Sequence, residues 1–180
     1  MPLDLFGYES CWCASRMATL RTKFTCELVT IWSKKSFAQV TTEIEALLQR
    51  YDLAELARLT ALGDAAKLAA FVKKTGEPTE FAIFFQLDQG STQRLAGIPI
   101  ESRFYLFGNA TIAQGLFRYS ATAGLGAPVR FCVSQHDGAD TRIDIDLPSA
   151  FFSQFPELRE SNVPAELDAR MIALLEKIAG

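Results

Sequence analysis

The segment from residue 80 to residue 88 constrains the fold of this chain more than any other, because almost every position in it is apolar. Its aromatic and branched side chains predict a β-strand. Strict alternation would place Phe81, Ile83, Phe85 and Leu87 on one face, with Ala82 and Phe84 on the other. A strand that is apolar on both faces is expected to be central, or to meet a helix or another subunit on its second face.

Four further segments predict strands of the same sheet. They comprise residues 23–32, 103–107, 129–135 and 141–147. The last two flank a short polar turn and form a predicted hairpin that places its apolar residues on one side. Arg130 would then lie on the polar side, opposite Asp144 or Asp146 depending on the register.

Helical patterns separate these strands. Ser36 and Gln39 have the spacing of a capping box at the start of one helix. Residues 52–74 are typical of helix with a break at Gly63 and Asp64, and Pro164 opens the last helix. Residues 89–96 and 149–155 predict short helices. After the turn at Asn109, Ile112, Leu116 and Tyr119 are expected to form the buried side of another helix.

This order of elements predicts an α+β fold, with a single sheet of about five strands and helices packed on it. The 180 residues suffice for one domain. We expect an N-terminal arm over residues 1–20, then a single domain over 21–180 that carries a helical insertion at about residues 52–78.

Composition excludes several classes of protein. The net charge is −3 without a basic stripe, so nucleic acid is not an expected partner. No run of 18 apolar residues is present and the N-terminus lacks a signal-peptide pattern, which predicts a cytoplasmic protein with no membrane partner. The four cysteines are expected to be free thiols in that compartment.

Four short motifs lie between Phe84 and Phe152. They are Leu87-Asp88-Gln89, Phe107-Gly108-Asn109-Ala110, Leu125-Gly126-Ala127-Pro128 and Ile145-Asp146-Leu147-Pro148. These motifs resemble those of a bacterial family of unknown function, DUF302. Gln89 stands where the family has histidine, and Ala110 stands where it has proline. The resemblance implies an α+β fold, a homodimer and no assigned activity.

Two pairs of residues are candidates for a binding site. Asn109 and Thr111 follow a Gly-Asn turn into a helix, where free N–H groups favour an anion. The alternative is that Asn109 or Thr111 caps the helix, and Thr111 and Gln114 have capping-box spacing. Asp88 and Asp146 lie near strand ends, where two close carboxylates can divide acid and base roles. Alternatively, Asp88 caps the next turn and Asp146 pairs with Arg130.

Cys11 and Cys13 form a Cys-x-Cys pair that can hold a soft metal or act in redox chemistry. Too few further ligands accompany them to predict a metal site or any cofactor.

Aromatic residues crowd the strands at 80–88 and 103–107, which favours a core and also a ligand cavity or dimer contact. The leading hypothesis is therefore a homodimeric small-molecule-binding or accessory domain. The alternatives are a cofactor-independent enzyme that uses Asp88, Asn109 and Asp146, and a thiol redox or metal-binding protein.

Overall fold

A computed structural model describes residues 19–180. The strands are β1 (Leu28–Ser33), β2 (Ala82–Asp88), β3 (Ile100–Gly108), β4 (Val129–His136) and β5 (Thr141–Asp146). The α-helices are α1 (Phe37–Leu47), α2 (Leu53–Leu62), α3 (Ala65–Gly76), α4 (Gln89–Leu95), α5 (Ala110–Phe117), α6 (Pro148–Phe152) and α7 (Val163–Ala179). Short 3₁₀ turns cover Ala121–Leu125 and Pro156–Leu158. Most of the predicted arm lies outside the described residues.

The five strands form one antiparallel sheet in the order β1-β5-β4-β3-β2. Helices pack on one face of it, which confirms the predicted α+β fold. The core between the sheet and the helices includes Val40, Ile44, Tyr105, Phe107, Phe131, Ile143, Ile145, Met171 and Leu175. Because the strands alternate, the opposite face receives every second side chain.

We call this opposite surface the open face. Its apolar side chains are Leu28, Trp32, Phe85, Leu87, Phe104 and Leu106, all of which are partly or largely exposed. The two-layer arrangement thus leaves one side of the sheet in contact with solvent within the described residues.

The alternation predicted for β2 is wrong beyond Ile83. The register of β2 against β3 shifts between Ile83 and Phe85, so Phe84 is an extra residue in the strand. The bulge reverses the faces of the residues that follow. Ile83 is buried in the core, whereas Phe85 and Leu87 point to the open face and are 48% and 47% exposed.

The first strand is shorter than predicted. It begins at Leu28 rather than at residue 23, because its neighbour β5 ends at Asp146, the residue opposite Leu28. Pro148 then starts α6 and provides no further strand for the earlier residues to pair with.

The helix cap and the helix break that were predicted from neighbouring residues are confirmed. Ser36 caps α1 and forms the capping box with Gln39. Residues 52–78 contain α2 and α3, separated by Gly63, whose φ of 66° ends α2 in the left-handed conformation. That this segment is an insertion stays a prediction. Tyr119 was expected to be buried and is 47% exposed, because α5 ends at Phe117.

Candidate functional site

The Phe107-Gly108-Asn109 turn joins β3 to α5 and organises one end of the sheet. Asn109 is the N-cap of α5, and its Oδ1 accepts hydrogen bonds from the amides of Thr111 at 2.8 Å and Ile112 at 3.1 Å. Its Nδ2 donates to the carbonyl oxygen of Glu80 at 2.7 Å. The capping interpretation therefore applies to Asn109, and the capping box expected from Thr111 does not form.

These contacts occupy the amide groups that an anion would need at this helix end. The remaining first-turn amide, that of Ala110, faces the buried hydroxyl of Tyr51. Burial raises the pKa of Tyr51, and the Ala110 amide offsets part of that effect. The pair lacks good hydrogen-bond geometry, so within the described residues the Tyr51 hydroxyl has no hydrogen-bond partner. The geometry does not favour an anion at this position.

Glu80 lies in the turn just before β2 and supports the Phe107-Gly108-Asn109 turn. Its φ of 71° lies in the left-handed region, which is uncommon for a residue with a side chain. Its carbonyl oxygen meets Asn109, and its carboxylate pairs with Arg170 of α7. The guanidinium of Arg170 also lies over the ring of Phe81, 5.3 Å from the centroid. The strained residue is thus held from both α5 and α7.

A cavity of about 190 Å³ lies beside this turn, between α5, α7 and the adjoining ends of β3 and β4. Its lining side chains are uncharged, and Asn109 is the only one of them with a polar side chain. They are Phe84, Gly108, Asn109, Ala110, Ile112, Ala113, Leu116, Phe117, Ala127, Pro128, Val129, Leu167 and Met171. Thr111 lies outside it, in a groove between α3, α5 and α7 that Asn109 also borders.

Asp88 lies at the other end of β2 and caps α4. Its carboxylate accepts from the amide of Ser91 at 2.9 Å and from the Ser91 hydroxyl at 2.7 Å. These hydrogen bonds hold the pKa of Asp88 below its usual range. Asp88 pairs in register with Arg103, whereas Asn109 follows Gly108 at the far end of β3. Six residues of strand separate the two positions by roughly 20 Å.

Asp146 occupies a third location. It lies at the end of β5 and forms an ion pair with Arg130 of β4. Of the two predicted registers, the hairpin therefore has the one with Arg130 opposite Asp146. Three strand spacings separate β5 from β2, or roughly 14 Å. Asp88, Asn109 and Asp146 therefore border different cavities and cannot act together on one substrate atom.

The thiol candidates Cys11 and Cys13 lie outside the described residues. Cys26 is exposed and Cys132 is half-buried on β4, and both are free thiols. Within residues 19–180, no group of three or more His, Cys, Asp or Glu side chains could hold a metal ion.

No pattern in the sequence predicts the polar network on the face of the sheet that the helices cover. Glu45 of α1 accepts hydrogen bonds from Arg103 at 2.8 Å, from Gln86 at 2.9 Å and from the Tyr105 hydroxyl at 3.3 Å. Arg103 also lies over the ring of Phe37. The only signal in the sequence is that Arg103 and Tyr105 share one face of β3. The network joins α1 to β2 and β3.

Burial and the nearby carboxylate of Glu45 raise the pKa of Tyr105 well above its ordinary value. Ionisation of Tyr105 is therefore easier in the unfolded chain, so its stabilising contribution is complete below about pH 10 and is lost as the pH rises further. We expect Tyr105→Phe to cost about 1 kcal/mol at pH 7, through loss of a hydrogen bond, and less at pH 11. Urea denaturation at both pH values measures this. Tyr119→Phe is the exposed control, and an equal cost at both pH values would contradict the argument.

The fold and the turn at Asn109 define the class of protein. Over residues 19–180 it is a two-layer α+β protein with one open face of the sheet. The chain belongs to the DUF302 family, since the model described as "Domain of unknown function DUF302" matches residues 60–178. This confirms the resemblance seen in the motifs. The match begins inside the segment predicted to be an insertion.

A solved structure supports the fold. It is the crystal structure of an uncharacterized conserved DUF302 protein from Bacillus stearothermophilus, with a TM-score of 0.59 and 13% identity. The alignment covers 85% of this chain and 98% of that chain. No curated protein matches this sequence. In the part of the chain that the structure describes, no helix is long and apolar enough to cross a membrane.

Proposed function

We propose that this protein is a homodimeric, cytoplasmic domain that binds a small, uncharged, apolar molecule in the cavity beside Asn109. The observation that carries the proposal is the lining of that cavity, which contains no charged side chain. Ligand sites are commonly apolar pockets with a few fixed polar groups. The one polar side chain here is that of Asn109, whose amide is bonded within the turn.

The residues around the opening support binding rather than packing alone. Phe117 lines the cavity and is 47% exposed, although it belongs to a helix whose Leu116 is fully buried. A ligand that covered the Phe117 ring would remove apolar surface from water, at about 25 cal/mol per Å². The unbranched side chain of Met171 can adjust to ligands of different shape.

The size of the cavity limits the ligand. An apolar cavity of about 150 Å³ accepts benzene, so about 190 Å³ suits a single small ring system or a short acyl chain. Asn109 has a structural role in this proposal, because both ends of its amide are already bonded. Thr111 contributes to the adjacent groove, while Asp88 and Asp146 lie too far away to touch the same molecule.

Filling the cavity tests the proposal. Ala113 lines the cavity on α5, so Ala113→Phe should occupy the space of the ligand. Ala66→Phe places the same ring on an exposed position of α3 and serves as the control. Native mass spectrometry of gently purified wild type should give twice 19.9 kDa plus the mass of one ligand for each chain. We expect Ala66→Phe to keep the extra mass and Ala113→Phe to lose it.

Added indole provides a second measurement, because a native ligand can dissociate during purification. Indole should raise the melting temperature of the wild type and of Ala66→Phe, and leave that of Ala113→Phe unchanged. A wild type with no extra mass and no response to indole would argue against a binding site in this cavity. An equal response in all three proteins would place binding elsewhere.

A further inference from the structure

The open face is an apolar surface on an otherwise ordinary small protein. On β1, Trp32 is 60% and Leu28 57% exposed. On β2, Phe85 is 48% and Leu87 47% exposed, and Phe104 and Leu106 of β3 lie beside them. The charged strands β5 and β4 separate these two apolar groups. Groups of exposed apolar side chains on one face of a sheet commonly mark an interaction surface.

The charges on the open face favour a partner whose contacting surface carries no net charge. Arg130 pairs with Asp146, and Arg142 pairs with Asp144 through two bonds of 2.7 Å. The same Asp144 accepts a hydrogen bond from Thr30 at 2.6 Å. Each cation on this surface is therefore neutralised within the surface. Two copies can approach without like-charge repulsion, although each whole chain carries −3.

The size of the open face also suits a second copy. Five strands about 4.8 Å apart, with about six residues each, give a projected area of roughly 500 Å². Pairing two such faces removes roughly 1,000 Å² or more of accessible surface, which reaches the lower limit for a specific interface.

We propose that a second copy of this chain docks on the open face, so that two sheets stack face to face about a two-fold axis. The inference rests on the proposed homodimer and names its interface. The same surface would be buried on both copies, as a two-fold interface requires. The apolar side chains of β2 and β3 then leave water, and the ion pairs of β4 and β5 lie within the contact.

Cys132 marks the centre of this interface. It points to the open face from β4, the middle strand of the sheet, between Phe104 of β3 and Asp144 of β5. A residue near a two-fold axis lies opposite its own copy, whichever in-plane direction the axis takes. Stacked sheets lie about 10 Å apart, so a short thiol cross-linker should join the two Cys132 side chains, whereas a direct disulfide needs Cα atoms within about 7 Å.

Cross-linking of single-cysteine proteins tests the geometry. One protein keeps Cys132 with serine at positions 11, 13 and 26, and the control keeps Cys26, which is exposed near the start of β1. With a short bismaleimide at low protein concentration, we expect a covalent dimer from Cys132 and about tenfold less from Cys26, since only the first thiol lies at the axis.

A charge substitution tests the surface independently. Leu87→Glu puts a carboxylate on the open face, while Leu95→Glu changes a leucine of α4 that is 91% exposed. Light scattering should give twice the chain mass for the wild type and Leu95→Glu, and the single chain mass for Leu87→Glu. If all three are dimers and Cys132 does not cross-link, the interface lies elsewhere and this inference fails while the homodimer stands. A monomeric wild type would overturn both, and a Cys132 shielded in that monomer would show that the chain covers its own open face.

Discussion

Replacing Phe107 by alanine is expected to lower the free energy of unfolding by about 3–5 kcal/mol, the usual cost of removing a buried phenyl ring. Phe107 is fully buried. Its ring centroid lies 4.7 Å from that of Phe131, in an edge-on arrangement, and 5.7 Å from that of Phe81. Close-packed neighbours of this kind can only partly fill the space that the ring leaves.

Chemical denaturation at one protein concentration measures this loss, with Phe24→Ala as the matched control. Phe24 is 41% exposed and its ring lies at right angles to that of Phe151, with 5.9 Å between the centroids, so its truncation should cost less than about 1 kcal/mol. Equal losses for the two variants would mean that Phe107 is not the centre of the core. Because Phe107 immediately precedes Gly108 and Asn109, its loss should also weaken binding in the adjacent cavity.

Replacing Asn109 by alanine is expected to cost about 2 kcal/mol, because one side chain makes three contacts. The alanine variant loses the cap on the amides of Thr111 and Ile112, which contributes about 1 kcal/mol to the free energy of unfolding. It also leaves the carbonyl of Glu80 without its donor, at a residue already held in an uncommon backbone conformation.

Asn109→Ser separates the two effects. Serine caps a helix about as well as asparagine but is too short to reach Glu80, so it should cost about 1 kcal/mol. Thr111→Ala, on the exposed side of the same turn, should change stability by less than about 0.5 kcal/mol. Chemical denaturation of the three variants ranks their free energies of unfolding. If serine costs as much as alanine, the Glu80 contact carries the whole effect, and if serine costs nothing, the cap does.

Interactions between neighbours in sequence could be predicted from the sequence. The capping box of Ser36 and Gln39 and the break at Gly63 depend on a few adjacent residues, so their patterns identified them. The hairpin of β4 and β5 belongs to the same group, because its short turn limits the possible registers to the two that were considered. The number of strands and the α+β class follow from such local patterns in combination.

The candidate site could be predicted only in part. The turn at Asn109 was recognised as a helix start, but whether its amides were free or capped depends on one side-chain rotamer. The cavity is formed by segments far apart in the chain, including Phe84, Val129 and Met171, and no local pattern links them. The grouping of Asp88, Asn109 and Asp146 failed for the same reason, since strand order and register set distances across a sheet.

The alternating and helical segments, the caps and the fold class follow from the sequence, because they arise from periodic burial and from hydrogen bonds between near neighbours. Strand pairing and packing set which side of β2 meets water after the bulge at Phe84, and which residues join Glu45 across the sheet. A single extra residue in a strand reverses every side chain that follows, and its position depends on the pairing partner. The position of Phe85 and Leu87 on the open face therefore depends on how β2 pairs with β3.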